Sequence, residues 1–531
     1  MKASTLRTYI AVHTWVGLVA GFALFIAFYT GAITIFTKEL HTWETPASQR
    51  AAMEPPARAQ ELVDAVLRRH PQAKESFLLQ LPTLNEPHLS LHWDEHAKDG
   101  SETEHLFRLA PDGTLLEVKP HSALSHFLYR LHYTAGLPAS WGVYVLGVVC
   151  ILYGLALGTG VVAYAPTFLK DLFALRIGKN LKRMWQDAHN VVGILSLPFH
   201  IIFAWSGAVL ALGVLLLAPF QFMVFDGKLL ELIQLDISAA KPAVAAGVAQ
   251  PSLPAGELLA RVRQAAPGMA VEFVRYHHAG DANAQIEAYG SVGQRTLTSS
   301  AAVVMKAADG AVVRVNTPEQ FSPGTTFLRG LQALHYGNFG HAAVQWLYFL
   351  LGLAGAFLFY SGNLLWIEAR RKRQAVQQPR SGKLMAQATL GVCLGCVAGV
   401  SAVFLVNKLF PALPGQLPLW EERAYYAVFL LSVAWAFARP PARAALELLS
   451  LSAGLTLAIP LAQWADSGVN PLQSLWRGEW VVAGVNLVAL LAGLGFLKMG
   501  RAALKRGREG DPCSVWSLRA APAAAERQRA A

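Results

Sequence analysis

Charge is what this chain has too little of. Only 15% of its 531 residues are charged while 54% are hydrophobic, and the mean hydropathy is +0.35. So few ionic groups do not cover so much apolar mass, which excludes a purely soluble protein. Cysteine is scarce as well. The four, Cys150, Cys393, Cys396 and Cys513, all lie outside the two long polar connections near 37–140 and 218–341, so no disulfide framework supports those segments. Acidic residues are missing from the first four apolar stretches, where Glu39 and Glu368 lie only at the ends.

What is present is apolar sequence in long runs. A bilayer crossing takes about 20 helical residues, and eight stretches qualify: Ile10 to Phe36, Trp141 to Phe168, His189 to Leu217, Ala342 to Ile367, Leu384 to Val406, Trp420 to Phe437, Ala444 to Ala462 and Trp480 to Phe496. The sixth is the shortest. Net charge is +11, from 45 Lys+Arg against 34 Asp+Glu. The basic residues sit in every second connection: Lys2 and Arg7; Lys170, Arg176, Lys179, Lys182 and Arg183; Arg370, Arg371, Lys372, Arg373, Arg380 and Lys383; Arg439 and Arg443; and Lys498, Arg501, Lys505, Arg506 and Arg508. That alternation is a topology signal that puts both termini on the cytoplasmic side. It removes nucleic acid as a partner. The first run is far longer than a signal-peptide core and no Ala-x-Ala site follows it, so it reads as a retained helix.

The first two thirds of the chain are duplicated. His13-Thr-Trp-Val-Gly-Leu falls on His189-Asn-Val-Val-Gly-Ile, and Tyr29-Thr-Gly-Ala falls on Trp205-Ser-Gly-Ala at the same offset. Glu61-Leu to Pro71 matches Glu257-Leu to Pro267, Ala110-Pro-Asp-Gly matches Ala307-Ala-Asp-Gly, and Leu131-His-Tyr returns as Leu334-His-Tyr. Gly160 pairs with Gly362 after one gap. Each external segment reads as an amphipathic helix followed by alternating strands around an Asp-Gly turn. The unit is helix, small α+β domain, helix, present twice; such parallel repeats pack about an axis along the membrane normal.

Ionisable side chains within spans point to function, and here they are histidines. His13 and His189 are repeat equivalents on the cytoplasmic side, His132 and His335 on the outer side. Paired imidazoles facing each other across a bundle are the arrangement that holds a haem iron from both faces, so two pairs predict two haems b. Gly17, Gly21, Gly31, Gly193 and Gly207 would leave room for flat macrocycles, or serve close helix packing. His200, eleven residues after His189 and so about 16 Å along the same face, has Leu24 as its repeat equivalent. It is either a further ligand or a hydrogen-bonded core residue beside Pro198. Arg130, Tyr133, Arg329 and Tyr336 flank the outer histidines and are candidates for propionate or substrate contact, as are His126 and His341 at the outer rim; the alternative for all six is an ordinary interfacial belt. His88, His92 and His96 fall in a strand pattern rather than on a metal-binding helix. Cys393-Leu-Gly-Cys396 reads as small-residue helix packing rather than a redox motif.

These residues resemble the PepSY-associated transmembrane proteins: the His-Thr-Trp-Val-Gly-Leu start, the Leu-His-Tyr elements, the external domains opening Ala-Gln-Glu-Leu-Val-Asp-Ala-Val and Gly-Glu-Leu-Leu-Ala-Arg-Val, and the exit Trp-Ile-Glu-Ala-Arg-Arg-Lys. The resemblance covers about residues 1–380. It implies a bacterial inner-membrane protein with two periplasmic domains over a four-helix haem core, of the kind that reduces ferric siderophores, and it carries the haem-ligand role to His13, His132, His189 and His335.

The expected fold is a mainly α membrane protein with about eight transmembrane helices and two small α+β, PepSY-like periplasmic domains. The expected segments are helix 1 at 1–40, domain 1 at 41–130, the outer histidine segment with helix 2 at 131–168, a basic loop at 169–188 and helix 3 at 189–217. Domain 2 follows at 218–333, the second outer histidine segment with helix 4 at 334–368, a basic loop at 369–383, a four-helix extension at 384–500 and a tail at 501–531. The expected activity is a b-type cytochrome reductase, an oxidoreductase drawing electrons from a cytoplasmic donor or quinol and passing them to a ferric siderophore to release Fe(II). Two rivals stand beside it: a non-enzymatic envelope protein whose external domains bind a peptide or protein partner, and a siderophore or metal transporter.

Overall fold

The computed structural model describes all residues except 1, 46–53, 84–85, 97–101, 120–121, 169–171, 177–179, 242, 294–296, 372–377, 411–415 and 520–531. Lys170, Lys179, Lys372 and Arg373 of the basic connections therefore lie outside the described residues.

In chain order the helices are α1 (Ala3–Thr34), α2 (Thr37–Glu44), α3 (Ala59–Arg69), α4 (Leu124–Thr134), α5 (Ala139–Tyr164), α6 (Leu181–Leu195), α7 (Leu197–Met223), α8 (Leu229–Ile237), α9 (Ala255–Ala265), α10 (Pro323–Tyr336) and α11 (Ala342–Ala369). After them come α12 (Arg380–Leu409), α13 (Leu417–Ala438), α14 (Pro441–Ser467), α15 (Pro471–Trp476) and α16 (Trp480–Glu509). The described chain divides into two compact units. One comprises Met1–Pro46, His121–Gly213 and Gln345–Ala531; the other comprises Ala47–Pro120 and Val214–Val344.

Among the described residues seven helices are long and apolar enough to cross a membrane: α1, α5, α7, α11, α12, α14 and α16. The sequence led us to expect about eight. The sixth expected span is α13, whose 22 residues are long enough at about 1.5 Å each, but Glu421, Glu422 and Arg423 in its opening turns lower its apolarity. The third expected span is divided. Its first part is α6, which stops at Ser196, and α7 begins at Leu197. Pro198 accounts for the break, because a proline inside a helix removes one N–H and its ring clashes with the preceding turn; Ser196 satisfies the end by bonding Val192 O through its backbone N (3.0 Å) and Oγ (2.6 Å).

Close approach inside the first unit rests on small residues. Along α12, Gly391, Gly395 and Gly399 recur every four residues and lie against α13. A Cβ added to them would meet Val433 Cα at 2.9 Å, Ser432 Cβ at 3.0 Å and the Tyr425 ring at 2.9 Å. Cys393 and Cys396 belong to this packed stretch, both buried and both free thiols, Cys393 within a π-helical turn at Leu390–Leu394 and Cys396 just after it.

In the second unit the two α+β segments join into one sheet. Its strands are β1 (Ser76–Gln80), β2 (Ser90–His96), β3 (Glu102–Leu109), β4 (Leu115–Glu117), β5 (Ala270–His277), β6 (Gln285–Ser291), β7 (Ser300–Lys306) and β8 (Val312–Asn316), in spatial order β4-β3-β2-β1-β5-β6-β7-β8. All pairings are antiparallel. Separate domains would leave β1 and β5 as open edges with unpaired N–H and C=O groups; pairing them removes that liability. At the joint Phe77 lies opposite Tyr276 and stacks on it at 4.5 Å. One core serves both halves: Leu62, Val63 and Val66 of α3 and Leu258, Leu259 and Val262 of α9 bury against Phe77, Leu79, Val274 and Ile286. The two expected Asp-Gly turns are present, with Gly113 at φ +87° and Gly310 at φ +69°, a backbone region that favours glycine.

Candidate functional site

The site begins with two rings. The rings of His13 on α1 and His189 on α6 lie in a T-shaped arrangement, with centroids 6.2 Å apart and planes at 73°. Each is anchored through Nδ1. His13 Nδ1 lies 2.8 Å from Ala156 O on α5, and His189 Nδ1 lies 3.2 Å from Ser361 Oγ on α11, with the Leu358 carbonyl also bonding the ring. Among the described residues neither Nε2 makes a hydrogen bond. Tying one imidazole nitrogen to a carbonyl or hydroxyl is how proteins orient the other toward a metal. With metal–nitrogen bonds of about 2.0–2.1 Å, two imidazoles binding one ion from opposite sides would have centroids roughly 6 Å apart, a spacing that the 6.2 Å of this pair matches.

The anchors share one pattern. Ala156 is followed by Thr159 and Gly160, and Leu358 by Ser361 and Gly362. Thr159 Oγ1 bonds Ala156 O at 3.1 Å, and Ser361 Oγ bonds Leu358 O at 3.1 Å. The glycine lets the ring lie flat on the helix: a Cβ on Gly160 would come within 2.9 Å of His13 Cε1, and one on Gly362 within 3.4 Å of His189 Cε1. His132, in the last turn of α4, docks the same way on α1. Its Nδ1 lies 2.7 Å from Ala27 O, with Thr30 and Gly31 following, and a Gly31 Cβ would fall 2.5 Å from Nδ1. Gly31 was expected either to leave room for a macrocycle or to serve close packing; the space beside it holds the imidazole of His132. Phe203, Ser206 and Gly207 on α7 repeat the spacing a fourth time. The sequence signal was a carbonyl position followed at +3 by Thr or Ser and at +4 by Gly, and reading only the histidines missed it. Beyond the inner pair, a Cβ on Gly17 meets nothing within 4 Å, and those on Gly21 and Gly193 reach neighbours only at 3.8 and 3.6 Å.

His200 on α7 is fully buried. Its Nε2 lies 2.8 Å from Ser196 Oγ, its Nδ1 is without a hydrogen-bond partner, and its ring contacts those of Phe28, Tyr153 and Phe199 at 5.7, 6.0 and 5.6 Å. Arg130 pairs with Glu422 of α13 at 2.8 Å and stands over the Phe127 ring; Tyr133 packs edge-on against Tyr129; His126 is exposed. These residues belong to the first unit.

In the second unit His335 occupies the last turn of α10 and meets Tyr336 edge-on at 5.6 Å. Arg329 donates to Gln332 Oε1 at 3.0 Å, and His341 is exposed. Asp236 ties α8 to the start of α10 by accepting from Ser322 Oγ and from Thr325 Oγ1 (3.0 Å), and these bonds hold its carboxyl below the ordinary range. The histidines of the sheet-bearing unit are dispersed: His88 lies 3.0 Å from Glu54, and His92 lies 3.0 Å from Ser90.

The candidate spans α1 (from Ile10 onward), α5, α7 and α11, the sheet-bearing segments that separate them in sequence and the docked histidines all fall within a match to known sequences. Residues 10–369 match the PepSY-associated TM region. The chain belongs to the PepSY-associated transmembrane family. An uncharacterized protein of Pseudomonas aeruginosa is 28% identical over 389 residues, covering 69% of this chain and 91% of that relative. The family match ends at α11, so α12 to α16 of this PepSY-associated protein lie beyond it.

Proposed function

We propose that this PepSY-associated protein is a b-type cytochrome of a bacterial inner membrane that reduces a ferric siderophore on the periplasmic side. The 6.2 Å separation of His13 and His189, each held by Nδ1, carries the reading. A haem bound there would supply one-electron redox chemistry. The chain's own part is to fix both Nε2 atoms, to keep the site dry among apolar helices and to offer an external surface for the acceptor. His132, docked on Ala27 O as His13 is on Ala156 O, is the candidate ligand of a second haem. The alternating basic connections support a topology with both termini in the cytoplasm, within reach of a soluble donor or the quinol pool, and the sheet-bearing segments outside.

A reduced-minus-oxidised visible spectrum of full-length protein produced with ample haem tests this directly. Expected are b-type bands and their reoxidation on adding ferric siderophore. No b-type absorption sinks the cytochrome reading and favours a partner-binding role for the external sheet. Haem that is reduced but never reoxidised removes the siderophore as acceptor, and uptake of siderophore without spectral change favours a transporter.

A further inference from the structure

The helices beyond the family match meet the duplicated core at a buried polar cluster. The first N–H groups of a helix have no partner within it, and at α4 they are served by three side chains. Ala123 N donates to Glu421 Oε2 (2.8 Å), Leu124 N to Ser122 Oγ (3.1 Å) and Ser125 N to Glu44 Oε2 (2.8 Å). Glu44 ends α2 and Glu421 opens α13; they are 3% and 0% exposed. Two carboxylates from distant parts of the chain thus share one helix start.

The cluster is short of hydrogen atoms. Ser122 Oγ lies 2.7 Å from Glu421 Oε1 and 3.1 Å from Glu44 Oε2, while Asn407 Nδ2 at 2.9 Å and Leu124 N both donate to it. A hydroxyl has one proton and two lone pairs. Both lone pairs are used and one proton faces two carboxylates. Asn407 also donates to Glu421 Oε1 at 2.8 Å, yet its own Oδ1, on a residue 2% exposed, has no partner. An amide's oxygen and nitrogen exchange places when it turns over, and the turned amide presents an acceptor to Glu421.

Surrounding charges are committed elsewhere. Lys408 on α12 donates to Trp43 O (2.7 Å) and lies 3.7 Å from Asp466 of α14; Arg130 of α4 pairs with Glu422 of α13; Glu39 of α2 bonds Gln345 of α11 at 3.3 Å. Among the described residues no lysine or arginine forms an ion pair with Glu44 or Glu421. The titratable group that touches the pair is His41 of α2, whose Nδ1 lies 2.8 Å from Glu44 Oε1 and whose side chain is 48% exposed. Two buried carboxylates with no cation between them resist carrying two negative charges.

We propose that Glu44 and Glu421 form a proton-binding site that takes up one proton between them, exchanged with solvent along His41, Glu44, Ser122 and Glu421. The proton adds to a carboxylate oxygen of Glu421 to give a neutral carboxyl; no other bond breaks and no electron moves. The site stands whether or not the histidines hold haem. It gives the histidine-free helices a chemical part: α12 supplies Asn407 and α13 supplies Glu421.

Infrared pH-difference spectra of the full-length protein in H2O and D2O test it. A protonated-carboxyl carbonyl band is expected to grow as pH falls, to shift in D2O, to vanish in Glu421→Gln and to persist in Glu61→Gln. Removing the neighbouring charge in Glu44→Gln lowers the band's midpoint by about one pH unit, and His41→Ala keeps the band but slows its exchange. No such band in the wild type, or one that survives Glu421→Gln, overturns the proposal. Should Glu421→Gln not fold, an unchanged midpoint in Glu44→Gln overturns it as well.

Discussion

His13 hangs on Ala156. The imidazole Nδ1 is 2.8 Å from that backbone oxygen, one turn before Gly160, and its equivalent His189 holds the matching place beside Ser361 and Gly362. Sequence duplication is therefore also duplication of a docking geometry.

Removing either inner ring should remove the haem they share. His13→Ala and His189→Ala are each expected to lower bound haem from about two to about one per chain, read as pyridine haemochrome per protein. Unchanged haem in both variants rules the pair out as ligands.

The docking glycines should be sensitive in graded order. In an ordinary helix interior Gly→Ala gains about 1 kcal/mol. Here Gly31→Ala, with a Cβ 2.5 Å from His132, should lower the melting temperature most, Gly160→Ala at 2.9 Å less, and Gly362→Ala at 3.4 Å least. Equal stabilisation of all three by differential scanning fluorimetry contradicts the docking role.

The sheet joint can be loosened at one residue. Phe77 is 2% exposed and stacks on Tyr276, and Phe→Ala in such a core costs about 3–5 kcal/mol. Limited proteolysis should cut the 47–120 and 214–344 segments of Phe77→Ala faster, with the transmembrane fragments unaffected. Equal cutting of variant and wild type argues against a shared core.

A pH effect is expected midway along α6, where it is tied to the preceding segment. Asp187, 4% exposed, accepts from Arg176 Nε and Nη2 at 2.7 Å each and from Arg176 N at 3.0 Å; these bonds hold its carboxyl below the ordinary 3.8. A depressed acid stabilises the fold in its ionised form, so the contribution is full above pH 3.8 and is lost as pH falls through the lower folded-state value. Asp187→Asn should be less stable than wild type at neutral pH and converge with it in strong acid, measured as melting temperature against pH. Parallel curves would show that the pair contributes nothing.

Much of this was legible in advance because it is periodic. Spans announce themselves by uninterrupted apolar length, Asp112-Gly113 and Asp309-Gly310 by the backbone a tight turn needs, and His13 with His189 by gapless repetition. The break before Pro198 is local too, yet the apolar run continues through it and hid it. α13 was marginal by the same measure, since Glu421, Glu422 and Arg423 sit where apolar residues were counted.

The sequence alone determined the class, the duplication and the histidines, since burial preference and repeat spacing are properties of neighbouring residues. Tertiary structure decided what separate segments do together. β1 meets β5 about 190 residues later because two open edges are satisfied only by each other, Gly31 receives His132 rather than leaving a gap, and Glu421 reaches the start of α4 across some 300 residues. Such contacts arise from unpaired hydrogen-bonding groups finding partners in space, and no period along the chain records them.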